Sequence, residues 1–172
     1  MKVAESPRLI LRVFEEEDIP NFFRIVSDAK NMSFWPAPFD IAKAEGWVRR
    51  SIENFEKDQL SRFALILKKT GEMIGDCGFI KLNVNGKEEW DLGYILDKAQ
   101  WGNGFATEAA SAALDYGKRA GLKRIVANMA ADHVASKRVA EKIGMKLECE
   151  FLNQKNRNLL TYLLAWQATE YI

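Results

Sequence analysis

The chain has 172 residues, which fits a single domain over 1–172 with a core large enough to fold without staples. Hydrophobic residues at 48% and charged residues at 28% are ordinary for a globular protein, and a net charge of +1 gives no global reason to expect nucleic-acid binding. No run approaches the roughly 20 apolar residues of a membrane helix, and the first residues lack the apolar stretch of a secretory leader, so a cytoplasmic protein with no membrane partner is expected.

In chain order, Arg8 to Val13 reads as a strand with Leu9 and Leu11 on one face and Arg8, Ile10 and Arg12 on the other. Asp18 to Ser27 reads as a helix, because Ile19, Phe22, Phe23 and Val26 recur on one stripe. The acidic run Glu15 to Asp18 sits where it stabilises a helix start. Ser33 to Pro38 is a proline-bounded extended loop carrying Trp35. A second helix, about Ile41 to Lys57, turns Ile41, Ala44, Val48, Ile52 and Phe55 inward. Arg62 to Lys68, Met73 to Leu82 and Glu88 to Leu96 then read as an antiparallel meander, with turn signals at 70–72 and 83–86.

The second half begins with a helix running to about Ala120, whose small-residue stripe of Ala106, Ala109, Ala110, Ala113, Leu114 and Gly117 suits close packing on a sheet. Arg124 to Ala130 follows as a strand and Ala135 to Ile143 as a short helix ended by Gly144. Lys146 to Asn153 and Asn158 to Trp166 form a closing hairpin. Cys77 and Cys149 have no metal-ligand spacing, lie in apolar strand-like stretches and read as buried free thiols; no metal site is expected.

The most informative stretch is Trp101-Gly102-Asn103-Gly104-Phe105-Ala106, between a strand and the helix opened by Thr107. Two glycines at such a junction leave backbone N–H groups uncovered at the positive end of a helix dipole, which suits a phosphate or pyrophosphate. A dinucleotide-binding fingerprint is excluded by context: Thr107 stands where a third glycine belongs, and the preceding elements are a meander, not a βαβ unit. A P-loop is excluded because no Gly-Lys-Ser/Thr follows.

With this glycine turn in this order of elements, the chain resembles the GNAT acetyltransferase superfamily over Arg8 to about Trp166. Arg8-Leu9-Ile10-Leu11-Arg12, Asp91-Leu92-Gly93-Tyr94, Trp101-Gly102-x-Gly104-x-Ala106-Thr107-Glu108-Ala109 and the Ser136 to Met145 segment are similar to the branch of ribosomal-protein N-terminal acetyltransferases. The resemblance implies a mixed α+β domain, with about seven mostly antiparallel strands and four helices. It also implies acetyl-CoA as cofactor, with its pyrophosphate on Trp101, Gly102, Asn103, Gly104, Phe105, Ala106 and Thr107. Backbone groups of Tyr94, Ile95 and Leu96 are expected to hold the pantetheine arm.

The resemblance implies roles for further residues. Ser136 is the expected proton donor to the departing thiolate and a cofactor contact, because the family's usual tyrosine position is Ala140 here. A serine on that stripe equally suits a bond to a backbone carbonyl. His133 stands where the family has an asparagine that helps hold the cofactor; a solvated histidine leading the helix is the plain alternative. Asp91 is the expected general base, with Asp76 as the second candidate and as a substrate contact. Strand alternation puts both on definite faces without saying which face meets the cleft. Trp35 is expected to wall the acceptor site, or else to anchor its loop. The acceptor is expected to be a protein N-terminal α-amine or a small-molecule amine such as a polyamine or antibiotic. A silent acyl-CoA-binding module is the reading from another class, and a monomer or homodimer is expected.

Overall fold

The computed structural model describes residues 1–169. Eight strands form one sheet: β1 (Lys2–Glu5), β2 (Leu9–Arg12), β3 (Arg62–Leu67), β4 (Met73–Val84), β5 (Lys87–Leu96), β6 (Arg124–Ala130), β7 (Lys146–Asn153) and β8 (Leu159–Gln167). Their spatial order is β1-β2-β3-β4-β5-β6-β8-β7. Four helices pack on it: α1 (Ile19–Val26), α2 (Ile41–Asp58), α3 (Phe105–Arg119) and α4 (Val134–Lys142). The sheet thus has one strand more than expected. The extra one is β1, whose four residues bury only Ala4 and so carry too little alternation to be read from sequence.

Every neighbouring pair is antiparallel except β5 and β6, which run parallel. That pair is joined at Asp91 opposite Val126, whereas β5 stays in register with β4 from Lys87 to Leu96. Beyond Asp91 the sheet therefore opens, with β5 and β6 as the two arms of a fork. A parallel crossover needs an intervening helix, and α3 supplies it.

The sheet separates two cores. On one face Leu9, Leu11, Phe63, Leu65, Cys77, Phe79, Leu92 and Leu96 meet α3 residues Phe105, Ala109, Ala110, Ala113 and Leu114. The small-residue stripe acts as expected. A Cβ on Gly117 would stand 2.7 Å from the Phe79 ring and 2.9 Å from Ile125, so glycine sets how closely α3 lies on the sheet. On the other face Ala64, Met73 and Ile95 meet Phe22, Ile25 and Val26 of α1 and Ala44 and Val48 of α2.

Two inward assignments change. Ile41 is exposed at the first residue of α2, where the helix has not yet reached the sheet. Trp47 packs inward instead, against Phe22, Trp35 and Phe39. Cys77 is buried as expected and burial pushes its thiol up to about 12, so it stays protonated and unreactive. Cys149 is only half-buried, because β7 is the sheet's edge strand.

Candidate active site

The fork between β5 and β6 opens into a cavity of about 1230 Å³. It runs from the glycine turn before α3 to the loop that carries Trp35.

At the first end, Gly102 and Gly104 take φ of +79° and +80°, the left-handed region that only glycine enters without strain. Gly104 is the N-cap of α3 and no side chain caps the helix. The first N–H groups of α3 are thus left to a ligand. A Cβ on Gly102 would meet no atom within 4 Å, so the surface beside it is open. The open Gly102, the left-handed Gly104 with the Arg8 guanidinium 3.6 Å from where its Cβ would stand, the uncapped donors and the dipole fit a pyrophosphate.

Trp101, Gly102, Gly104, Phe105, Ala106 and Thr107 line this end of the cavity. Asn103 does not. Its side-chain amide turns back to the carbonyls of Gln100 and Trp101, at 3.1 and 3.4 Å, and shapes the turn from behind. The Trp101 indole N–H donates to the Leu96 carbonyl at 2.9 Å, fastening the turn to the end of β5. Arg8 was not foreseen here. It donates to the Asn103 carbonyl at 3.0 Å, pairs with Glu108 at 2.7 Å and lies 4.4 Å over the Phe105 ring.

Along β5 the expected backbone contacts divide. The Ile95 N–H donates to the Asp76 carboxylate at 3.0 Å, so it is spent and does not face the fork. Strand N–H groups point alternately to the two edges, so Tyr94 and Leu96 aim theirs toward the opened side. Ile95 was placed with them only because register against β4 is invisible from sequence.

Asp76 also departs from expectation. It is wholly buried, receives Arg62 Nε and Nη2 at 3.0 and 2.5 Å, and accepts the Trp47 indole N–H at 2.8 Å. With the Ile95 N–H its oxygens are fully engaged, and it holds β3, β5 and α2 together without reaching the cavity.

Asp91 does reach it. One carboxylate oxygen, Oδ1, accepts both the backbone N–H and the side-chain amide of Asn128, at 3.0 and 2.6 Å. Oδ2 has no hydrogen-bond partner among the described residues. Burial pushes the Asp91 carboxyl up to about 7, outweighing the two Asn128 bonds and the nearby Arg62 charge, which pull it down. Cross-strand register puts Asp91, Gly93 and Ile95 on the α1/α2 side of the sheet. Tyr94 lies on the α3/α4 side, where burial raises its hydroxyl to about 12 and the neighbouring Ser136 hydroxyl opposes that shift. Ser136 itself is half-buried in the first turn of α4 and lines the cavity.

At the far end Trp35 meets Phe39 and Trp47 edge-on, 5.7 Å from each, and forms the cavity wall. His133 is not a free surface side chain but part of the cavity lining. It is half-buried and stacked on Phe34 at 3.6 Å with the rings nearly parallel, and burial lowers its pKa. The Phe34 carbonyl also accepts the Asn156 amide at 3.4 Å, so three loops meet over the cavity mouth.

Among the described residues no cluster of His, Cys, Asp or Glu is arranged to hold a metal, and no helix is long and apolar enough to cross a membrane. Asn128, Arg62, Phe34 and Trp47 were not foreseen at the site. Each gains its place from a cross-strand or interloop contact, and none sits in a motif.

The sheet forks beside an uncapped, glycine-led helix, with ionisable groups across the gap, and the comparisons with known proteins place this arrangement among the N-acetyltransferases. The family description "Acetyltransferase (GNAT) domain" matches residues 8–146, and the chain belongs to that family. It is 30% identical over 179 residues to the N-acetyltransferase p20 of Bacillus licheniformis, covering 99% of each chain. The solved acetyltransferase (GNAT family) from Bacillus anthracis superposes with a TM-score of 0.82 at 28% identity, covering 95% of this chain and 97% of that one. The same fold, at 20% identity, TM-score 0.81 and 98% coverage of both chains, is seen in RimL, a ribosomal L7/L12 alpha-N-protein acetyltransferase solved in complex with coenzyme A.

Proposed function

We propose that this chain transfers the acetyl group of acetyl-CoA to a primary α-amine, such as the N-terminus of a protein or peptide. The observation that carries the reading is the Asp91 carboxyl at the fork, fixed through one oxygen by Asn128 and free at the other. Its pKa of about 7 suits a base working near neutral pH. An α-amine titrates near 7.7–8.0, about one unit above that base, whereas a lysine amine near 10.4 is a far poorer match.

Bound acetyl-CoA supplies the activated thioester. The α3 N-terminus and the two glycines hold its pyrophosphate, and the outward N–H groups of Tyr94 and Leu96 lie along the gap. The amine enters from the α1/α2 side between Trp35 and Asp91, and Asp91 Oδ2 takes its proton as nitrogen bonds to the carbonyl carbon. Ser136, on the opposite side of the gap, donates its hydroxyl proton to sulfur as the carbon–sulfur bond breaks, and water in the cavity takes the proton from Asp91 and restores that of Ser136. Burial keeps the Tyr94 phenol protonated beside Ser136.

A panel of N-terminal peptides, alkylamines and polyamines, followed by CoA release, tests the reading. Preferred turnover of α-amines is expected. Preferred turnover of polyamines overturns the acceptor. Tight acetyl-CoA binding with no turnover on any amine favours a silent binding module instead.

A further inference from the structure

Arg62 is the buried cation that the mechanism leaves unused. It is 4% exposed, and Asp76 engages its Nε and Nη2. Its third nitrogen, Nη1, has no hydrogen-bond partner among the described residues, yet no buried polar side-chain atom there lacks one. Nη1 is therefore open to the cavity, which Arg62 lines.

The side chain gets there because Gly93 has none. Arg62 on β3 stands opposite Gly78 on β4, and Gly78 stands opposite Gly93 on β5. The guanidinium lies along this glycine row toward β5. A Cβ on Gly93 would fall 2.6 Å from Nη1 and 3.8 Å from Asp91 Oδ2. The unpartnered donor and the unpartnered carboxylate oxygen thus border one spot, without closing into an ion pair with each other.

We infer that Arg62 Nη1 is a specificity-determining donor that binds the carbonyl oxygen next to the acceptor amine, so that the substrate class is an α-amino acyl compound. The assignment rests on the acetyltransfer reading and deepens it. In such a compound the nitrogen and the carbonyl oxygen are separated by two carbons. One molecule can present its amine to Asp91 Oδ2 and its oxygen to Nη1 at the same time. A neutral carbonyl fits better than a carboxylate. Asp76 already balances the guanidinium charge, and a free carboxylate there would lie beside Asp91. Arg62 is positioned rigidly by its fork on Asp76 and by the Trp47 ring 5.3 Å away, so little freedom is lost on binding.

The test compares kcat/KM for alaninamide, free alanine and sec-butylamine in the wild type, Arg62→Lys and Gly93→Ala. Lysine keeps a charge for Asp76 but has no second arm to reach the cavity. Alanine at 93 keeps both the guanidinium and Asp76 in the chain, but its methyl would stand 2.6 Å from Nη1, so it fills the shared spot and displaces that donor from it. Its φ is not in the left-handed region, so the backbone tolerates it. The wild type is expected to prefer alaninamide to both other amines. In each variant the alaninamide to sec-butylamine ratio should fall by about 10- to 100-fold, the worth of one hydrogen bond to a charged group, chiefly through KM.

A ratio unchanged in both variants overturns the assignment, as does a wild type that favours sec-butylamine, while either result leaves acetyltransfer standing. A preference for free alanine overturns the carbonyl in favour of a carboxylate. No turnover on any amine overturns acetyltransfer itself and this assignment with it. Should Arg62→Lys unfold, Gly93→Ala decides alone.

Discussion

Asn128 places both its backbone N–H and its side-chain amide on the same oxygen of Asp91, at 3.0 and 2.6 Å. The carboxylate thereby spans the place where β5 and β6 part, which leaves its other oxygen turned toward the cavity. One side chain thus ties β5 to β6 at the root of the fork and keeps an oxygen for the cavity.

Asp91 sets a pH dependence with a definite sign. Its folded pKa, about 7, lies above the ordinary carboxylate value of 3.8, so the folded state holds the extra proton between those limits. Its contribution to stability is present below pH 4 and is lost as pH rises through 7. Asp91→Asn should remove that loss, and melting temperatures from pH 4 to 8 will show a flatter profile than the wild type. The same variant should cut kcat/KM by about 10²- to 10⁴-fold and abolish the limb near pH 7. An unaltered limb would mean that another group is the base.

Asn128→Ala should shift that limb upward. The two Asn128 bonds lower the Asp91 pKa against burial, so their weakening raises it. A pH–rate profile that stays in place would show that these bonds do not tune the carboxyl.

Ser136→Ala should reduce kcat by about 10²- to 10⁴-fold while leaving acetyl-CoA affinity nearly intact. Calorimetry and steady-state rates on the same preparation separate the two. Unchanged turnover would remove Ser136 from the chemistry and leave Tyr94, its neighbour on the α3/α4 side, as the donor to examine through Tyr94→Phe.

Gly104→Val should abolish measurable acetyl-CoA binding by calorimetry. At φ +80° a β-branched residue is strained by about 1–3 kcal/mol, and its side chain stands before the α3 donors. Normal affinity in a folded variant would displace the pyrophosphate from this turn.

Asp76→Ala should destabilise the fold by about 3–5 kcal/mol in chemical denaturation, because it strands a guanidinium that is 4% exposed and frees the Trp47 and Ile95 donors. A loss below about 1 kcal/mol would show that this knot is not structural.

Much of this protein was legible before folding. The glycine turn, the meander before it and the helical stripes are local signals, spaced along the chain at the periods of the elements they form. They were enough to single out the turn that lies at one end of the cavity and to exclude nucleotide folds. β1 escaped notice because four residues with one buried side chain carry almost no period. Asp76 and Asp91 looked alike, two carboxylates on adjacent strands. Cross-strand register puts both on the same face, yet Asp76 lies beneath Trp47 and Arg62 while Asp91 stands where the strands separate.

The sequence by itself determined the fold and the glycine turn that suits a phosphate, because such a cradle is made of backbone and needs only glycines before a helix. Tertiary structure alone decided which carboxylate meets the cavity, which N–H groups remain free, and that Arg62 reaches the fork over Gly93. Those outcomes depend on register between distant strands. A slip of one residue there turns a side chain from one face of the sheet to the other, and no local pattern records it.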